Sequence, residues 1–278
     1  MEDCYDTSSF PSNVKNLKNA KVAVFGVPLD STVDYLPGTR FGPKIIREAA
    51  NFIEPFDIEI EKNLLEEVKI LDTGDISPVR GNAQKTLEKV EKQVKKLIEA
   101  KKFPLMLGGE HLVSLGAVQG LPKGSKILCF DAHYDLKEVW EGSEYTHNTW
   151  LRKASEIVGK NKICLIGPRT GDEFEYEYSK DILINPGFKE LEKFVKGRYV
   201  YLSVDMDYFD PSIAPGVGTP EPGGEGYQDF IEKIRMICNY SNLIGMDVVE
   251  TRPLGENKIT EILAAKIIFK VLSYEFIG

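Results

Sequence analysis

The chain has three histidines, His111, His133 and His147, close together in the sequence, and each sits near residues that could share its chemistry. The apolar run 103–107 leads into Gly108-Gly109-Glu110-His111, and the run 127–130 leads into Asp131-Ala132-His133-Tyr134-Asp135. The run 199–204 leads into Asp205-Met206-Asp207, and the run 243–249 ends at Glu250. In extended chain, residues i and i+2 point the same way, so Asp131 projects with His133 and Asp205 with Asp207. Four aspartates gathered with two imidazoles repel one another unless cations intervene, and divalent metal is the natural counter-charge. A mixed carboxylate and imidazole set suits Mn²⁺ or another first-row divalent ion better than a thiolate zinc site. His111, Asp131, His133, Asp135, Asp205 and Asp207 carry enough carboxylate oxygens to bridge two ions. Such a pair, about 3.5–4 Å apart, holds a bridging hydroxide at neutral pH.

Each motif alone has a plainer reading. A single Asp-x-His or Asp-x-Asp after a strand commonly caps a helix or binds water. Gly108-Gly109 is also what a strand-to-helix turn requires. The metal reading rests on their shared position, since every histidine follows a strand or sits in the loop leading to a helix.

The elements that must position these residues alternate in type. The spacing predicts strands at 22–27, 68–71, 103–107, 127–130, 163–166, 182–184, 199–204 and 243–249. They read as nearly continuous apolar runs, the signature of strands covered on both faces. Helical periodicity occupies the intervals, most clearly at 82–102, where Leu87, Val90, Val94 and Leu97 share a face. Other helices are expected near 43–56, 148–158, 187–196, 226–240 and 257–274. Repeated β–α alternation implies an α/β fold with a parallel sheet and helices on both faces. The carboxyl ends of such strands share one edge, where ligands bind. No linker or internal repeat interrupts residues 1–278, so a single domain is expected. The Pro- and Gly-rich stretch 211–226 reads as an active-site loop.

Composition narrows the partners. With 35 Lys and Arg against 43 Asp and Glu, the net charge is −8, which disfavours nucleic acid and suits a small cationic ligand. Of the four cysteines, Cys4, Cys129, Cys164 and Cys238, the last three sit in apolar runs and read as buried thiols. No secretory signal is legible at the N-terminus, and no stretch approaches the roughly 18 apolar residues of a membrane helix. A cytoplasmic protein is expected.

The motifs resemble those of the ureohydrolase family, the arginases and agmatinases, and most of all the agmatinases. The residues that carry the resemblance are GGEH (108–111), DAHYD (131–135), THNT (146–149) and SVDMDYFDPSIAPGVGTPEPGG (203–224). GVPLDSTVDYLPGTRFGPKIIREA (26–49) and MDVVETRP (246–253) extend it, so it runs from about residue 22 to the end. The resemblance implies a three-layer α/β/α fold around an eight-stranded parallel sheet, with two Mn²⁺ per subunit. It implies His111, Asp131, Asp135 and Asp205 as ligands of one ion, and His133, Asp131, Asp205 and Asp207 as ligands of the other. His147 matches the family's proton-shuttling histidine and Glu250 its guanidinium-binding carboxylate. The implied activity is cleavage of agmatine to putrescine and urea by a metal-bridging hydroxide, a step of polyamine biosynthesis. Asp135 would hydrogen-bond that hydroxide. A homo-oligomer, trimer or hexamer, is also implied.

The substrate and two rival classes stay open on sequence grounds. Residues 136–145 look like the agmatinase version of the loop that in arginases holds the substrate's carboxylate and amino group. The glutamates there, Glu138, Glu141 and Glu144, suit a substrate cationic at both ends, or else form a solvated acidic loop. Arginine, guanidinobutyrate and formimidoylglutamate would use the same metal core. Tyr134, Val217 and Asn148-Thr149 depart from the family's commoner residues and bear on pocket shape. A two-metal phosphoesterase would fit the same ligands but needs cations to clamp phosphate, for which Arg169 and Lys137 are the few near the motifs. A non-catalytic metal-binding assembly protein on the same scaffold is the other alternative. For His147 the plainer reading is a surface loop histidine, and for Glu250 a strand-end surface carboxylate.

Overall fold

The computed structural model describes residues 8–278, and Cys4 lies outside them. In chain order the first half comprises β1 (Val22–Val27), α1 (Gly42–Ala50), β2 (Phe56–Asp57), β3 (Lys62–Asn63), α2 (Leu64–Glu67), β4 (Ile70–Asp75), α3 (Ala83–Glu99), β5 (Phe103–Gly108), α4 (Val113–Gln119) and β6 (Lys126–Phe130). The second half comprises α5 (Trp150–Val158), β7 (Ile163–Ile166), α6 (Glu173–Tyr178), β8 (Leu183–Ile184), α7 (Phe188–Val195), β9 (Tyr199–Asp205), α8 (Tyr227–Tyr240), β10 (Asn242–Val249) and α9 (Ile259–Phe276).

Eight strands form one parallel sheet in the order β4-β1-β5-β10-β9-β6-β7-β8, and β2 and β3 make a small antiparallel hairpin. The apolar runs are continuous because alternate residues feed two different cores. On one face Val22 and Val24 of β1, Leu128 and Phe130 of β6, and Val200, Leu202 and Val204 of β9 pack with α1, α7, α8 and α9. On the other face Ala23, Phe25 and Val27, Ile127 and Cys129, and Tyr201 pack with α3, α4 and α5. Three layers result, as expected. The inner face of α3 is fully used: Leu87, Val90, Val94 and Leu97 are at most 2% exposed. Each such burial contributes roughly 1.5–3 kcal/mol before conformational entropy is subtracted.

All eight expected strands of the sheet are present, with β4 running on to Asp75. The helix expected over 43–56 stops at Ala50, because Pro55 disfavours helical backbone just before it and the chain turns into β2. Helix α4 was not anticipated. Residues 113–118 are all buried, so it has no wet stripe and no amphipathic period. Gly116 permits that burial, since a Cβ there would stand 2.8 Å from Val90 Cβ on α3. Cys129 and Cys164 are buried, whereas Cys238 is only partly so, because it lies toward the edge of the α8 stripe. Among the described residues no helix is long and apolar enough to cross a membrane.

Candidate active site

The four strands whose ends carry the motifs, β5, β10, β9 and β6, are adjacent at the centre of the sheet. Their carboxyl ends therefore meet. His111 Nδ1 lies 2.9 Å from Asp205 Oδ2, 3.0 Å from Asp131 Oδ2 and 3.4 Å from Asp135 Oδ2. His133 Nδ1 lies 3.1 Å from Asp207 Oδ2 and 3.5 Å from Asp131 Oδ1. Two groups of donor atoms thus share Asp131. His111 Nδ1 is buried and hydrogen-bonded to none of its three carboxylate neighbours. A ring nitrogen that close to oxygens yet misaligned with them is turned toward a common point, as ligands of one cation are. The donor set fits a pair of divalent ions.

The expected i, i+2 pairing is present, but extended pleating is not its cause. Asp207 sits in a short 3₁₀ turn, and the chain after Asp131 has left the strand. In each motif the first aspartate's Oδ1 accepts from the backbone N–H two residues on, at 2.7 Å from His133 and 2.9 Å from Asp207. These Asx turns fold both motifs back on themselves and leave Oδ2 of Asp131 and Asp205 facing His111.

Buried partners hold the imidazole from behind. His111 Nε2 lies 3.0 Å from Ser203 Oγ, which donates to Asp247 Oδ1 at 2.6 Å, and Tyr201 donates to Asp247 Oδ2 at 2.8 Å. This relay favours a proton on Nε2 and a bare lone pair on Nδ1, the state a metal ligand needs. Trp150 lies against the ring with centroids 4.3 Å apart, and its indole N–H donates to Asp135 Oδ2 at 2.8 Å. Cys129 also comes near, its Sγ 4.0 Å from both His111 Nε2 and Asp131 Oδ2. The group His111, Cys129 and Asp131 could in principle hold an ion. However, the thiol faces the nitrogen occupied by Ser203, and burial pushes its pKa well up, so it stays protonated.

The electrostatics show the need for counter-charge. Burial first, and then the charge of neighbouring aspartates, drives Asp135 and Asp205 well above the ordinary carboxylate range. Burial acts on Asp131 the same way, but the neighbouring imidazoles of His111 and His133 outweigh it and pull this carboxyl down. Bound dications would replace this mutual repulsion with attraction.

Glu250 and His147 complete the rim. Glu250 is buried with a left-handed backbone at φ 60, and Asp135 shares that conformation at φ 51. Non-glycine residues rarely adopt it, and where they do the strain is often functional. The backbone N–H groups of Glu250 and His111 cross-link β10 to the GGEH turn. The first donates to Gly109 O at 2.9 Å, and the second to Glu250 Oε1 at 2.6 Å. His147 begins a 3₁₀ turn that leads into α5, and its Nε2 lies 3.5 Å from Asp34 Oδ1. Burial lowers its pKa below 6.5, with Asp34 opposing the shift. These residues line a cavity of about 320 Å³ together with Tyr134, Trp140 and Thr219. That is the scale of a small-molecule site.

The cations considered for a phosphate clamp are already engaged. All five N–H bonds of the Arg169 guanidinium are used, on the carbonyls of Gly167, Asp207, Tyr208, Glu221 and Pro222 at 2.7–3.2 Å. Lys137 is held by Asp172 and Glu175 at 2.5 and 3.1 Å. Arg169 instead ties the 211–226 loop to the Asp207 turn, and Thr219 of that loop donates to Asp207 Oδ2 at 3.3 Å. The glutamates of 136–145 likewise belong to the solvated reading. Glu138 pairs with Arg152 and Glu144 with Lys153, both on α5, and none of the three lines the cavity.

Sequence reasoning missed Asp34, Thr32, Trp150, Ser203 and Asp247. Thr32, Asp34, Ser203 and Asp247 stood inside the quoted motifs, and i, i+2 alternation back from Asp205 pointed to Ser203. Asp34, Thr32 and Trp150 reach the site only through long-range folding.

Known proteins resemble this chain along nearly its whole length. A family model for the arginase family matches residues 20–273. The agmatinase of Bacillus cereus is 37% identical, the match covering 98% of this chain and 98% of that protein. The N(1)-aminopropylagmatine ureohydrolase of Thermococcus kodakarensis is 33% identical over 95% of this chain and 94% of its own. The crystal structure of agmatine ureohydrolase from Thermoplasma volcanium matches with a TM-score of 0.90 at 32% identity, covering 98% of this chain and 95% of that one.

Proposed function

The chain belongs to the arginase family and is a hydrolase of guanidino compounds, and from that premise we propose that it converts agmatine to putrescine and urea. Two Mn²⁺ ions would be held, one by His111, Asp131, Asp135 and Asp205 and the other by His133, Asp131, Asp205 and Asp207, and would supply a nucleophilic hydroxide at neutral pH. Glu250 binds the planar guanidinium through charge-assisted hydrogen bonds, its orientation fixed by the His111 amide on Oε1. Asp135, fixed by the Trp150 indole, accepts a hydrogen bond from the attacking oxygen and orients it. His147, neutral at pH 7 because burial lowers its pKa, takes up a proton and passes it to the leaving amine. Resonance makes the guanidinium carbon a poor electrophile, so attack, orientation and proton delivery are all required.

One observation favours agmatine over arginine. The cavity is lined by the carboxylate of Asp34, and the single lysine there, Lys137, is committed to Asp172 and Glu175. No arginine lines it, so among the described residues no uncommitted Lys or Arg awaits an α-carboxylate, while a second ammonium group meets acidic surroundings. The enzyme is proposed to act in the cytoplasm in polyamine biosynthesis, as a trimer or hexamer that light scattering would detect. The deciding experiment measures urea release with Mn²⁺ from agmatine, N(1)-aminopropylagmatine, arginine, guanidinobutyrate and formimidoylglutamate, beside an EDTA control. Agmatine should have the highest kcat/KM and EDTA should abolish turnover; faster release from another compound refutes the substrate assignment.

A further inference from the structure

Glu110 has no part in the chemistry above, yet it is wholly buried at the centre of the GGEH turn. Its carboxylate is spent on one residue. Thr32 N donates to Oε2 at 2.8 Å, and Thr32 Oγ1 donates to Oε1 at 3.0 Å. The same hydroxyl oxygen accepts from the backbone N–H of His147 at 3.0 Å. Proton directions here are forced: the His147 amide can only donate, so the Thr32 proton is left for Glu110. His147 opens its 3₁₀ turn, where the N–H has no partner within the helix, so Thr32 is what satisfies it.

The loop bearing Thr32 is seated on the same turn. Glu110 N donates to Leu29 O at 2.7 Å, and a Cβ on Gly109 would stand 1.9 Å from that oxygen, so only glycine admits the loop. Two residues beyond Thr32, Asp34 reaches the imidazole itself. Segment 29–34 therefore grips His147 at both its main chain and its ring, and Glu110 anchors the grip.

We propose that Glu110, acting through Thr32, is a positioning residue that holds His147 where it meets the leaving amine. The proposal rests on the reading of His147 as proton carrier, and the two can fail separately. The test compares Thr32→Val, which keeps the shape and loses the hydroxyl, with Thr32→Ser, which restores it. Glu110→Gln, His147→Asn and the Thr32→Val/His147→Asn double variant are measured alongside, with agmatine as substrate and manganese content determined for each.

Thr32→Val should lower kcat ~10–100-fold, the cost of a small misplacement, with KM and bound manganese nearly unchanged. Thr32→Ser should recover most of the loss, and Glu110→Gln should lower kcat in the same sense. The double variant should be no slower than His147→Asn alone, because Thr32 acts only through that ring. Full kcat in Thr32→Val, no recovery in Thr32→Ser, or additive losses in the double variant overturns the proposal. Full kcat in His147→Asn overturns the proton-carrier reading itself, and this inference with it.

Discussion

His111 Nδ1 and Asp205 Oδ2 stand 2.9 Å apart in a buried site without a hydrogen bond between them. Burial, Asp207 and Asp131 push this carboxylate toward protonation, and the imidazole opposes them only in part. Under the proposed reading the arrangement serves a cation, so activity and intrinsic stability oppose each other here. Asp205→Asn should cut manganese-dependent turnover by more than the ~10–100-fold that an outer hydrogen bond to a metal ligand supports. In EDTA at pH 8 the same variant should melt at a higher temperature than the wild type, because it buries one fewer carboxylate. Calorimetry and a urea assay check both halves, and undiminished activity would remove the binuclear reading.

The Ser203–Asp247 relay behind His111 acts on the ligand and not on the substrate. Removing the hydroxyl with Ser203→Ala leaves Nε2 without its 3.0 Å acceptor and frees the ring to change tautomer. Apparent manganese affinity should fall ~10–100-fold, while kcat at saturating manganese stays near the wild-type value. Titrating activity against free Mn²⁺ separates the two. A fall in kcat with unchanged affinity would place Ser203 in the chemistry itself.

What was legible in the sequence follows from topology. Apolar runs ending in His, Asp or Glu mark strand ends, and parallel strands put those ends on one edge, so Asp131, His133, Asp205 and Asp207 could be grouped without coordinates. Their local geometry was not legible, because Asx turns and not pleating fold each motif back. Helix α4 was hidden by its complete burial. Glu138 and Glu144 stayed undecided for a different reason: their partners Arg152 and Lys153 lie 14 and 9 residues away, across the turn into α5. Thr32 and Asp34 stand in the quoted run 26–49, but their role was not legible, since nothing local ties them to His147 more than a hundred residues on.

Asp34 sets the proton affinity of His147 against burial. Burial lowers the imidazole's pKa and the nearby carboxylate raises it, with burial prevailing. Asp34→Asn removes the larger of the raising contributions and leaves burial in place, so the pKa must fall further. A limb of the kcat/KM profile that requires the neutral ring should then move to lower pH, and His147→Asn should abolish it. Steady-state profiles of the three proteins decide the matter; an upward shift in Asp34→Asn would show that Asp34 does not act on this ring.

Glu275 gives a pH effect remote from the metal residues. Burial raises its carboxyl from 4.5 to about 7, with Lys21 opposing. Because the folded value is the higher one, no penalty exists below about 4.5, where folded and unfolded chains are both protonated. The penalty grows as pH rises to about 7 and is complete above it. Glu275→Gln should therefore raise Tm at pH 8 and change it little at pH 5. An equal change at both would trace the effect to packing.

Arg169 shows how the substrate loop depends on a side chain outside the cavity. Its guanidinium satisfies five carbonyls at once, joining Gly167 to the Asp207 turn and to Glu221 and Pro222 of the 211–226 loop. Lysine keeps the charge but has three donors and no planar fork, so Arg169→Lys leaves at least two of those carbonyls without their partner. These acceptors are part-buried or exposed, so each loss costs less than a fully buried one would, but the loop loses its register against Asp207 and Thr219. The expected result is a lower Tm and weaker manganese binding, with agmatine KM raised as the cavity wall loosens. Limited proteolysis of the variant should cut first within 211–226. Wild-type protection there would mean that Arg169 does not hold the loop in place.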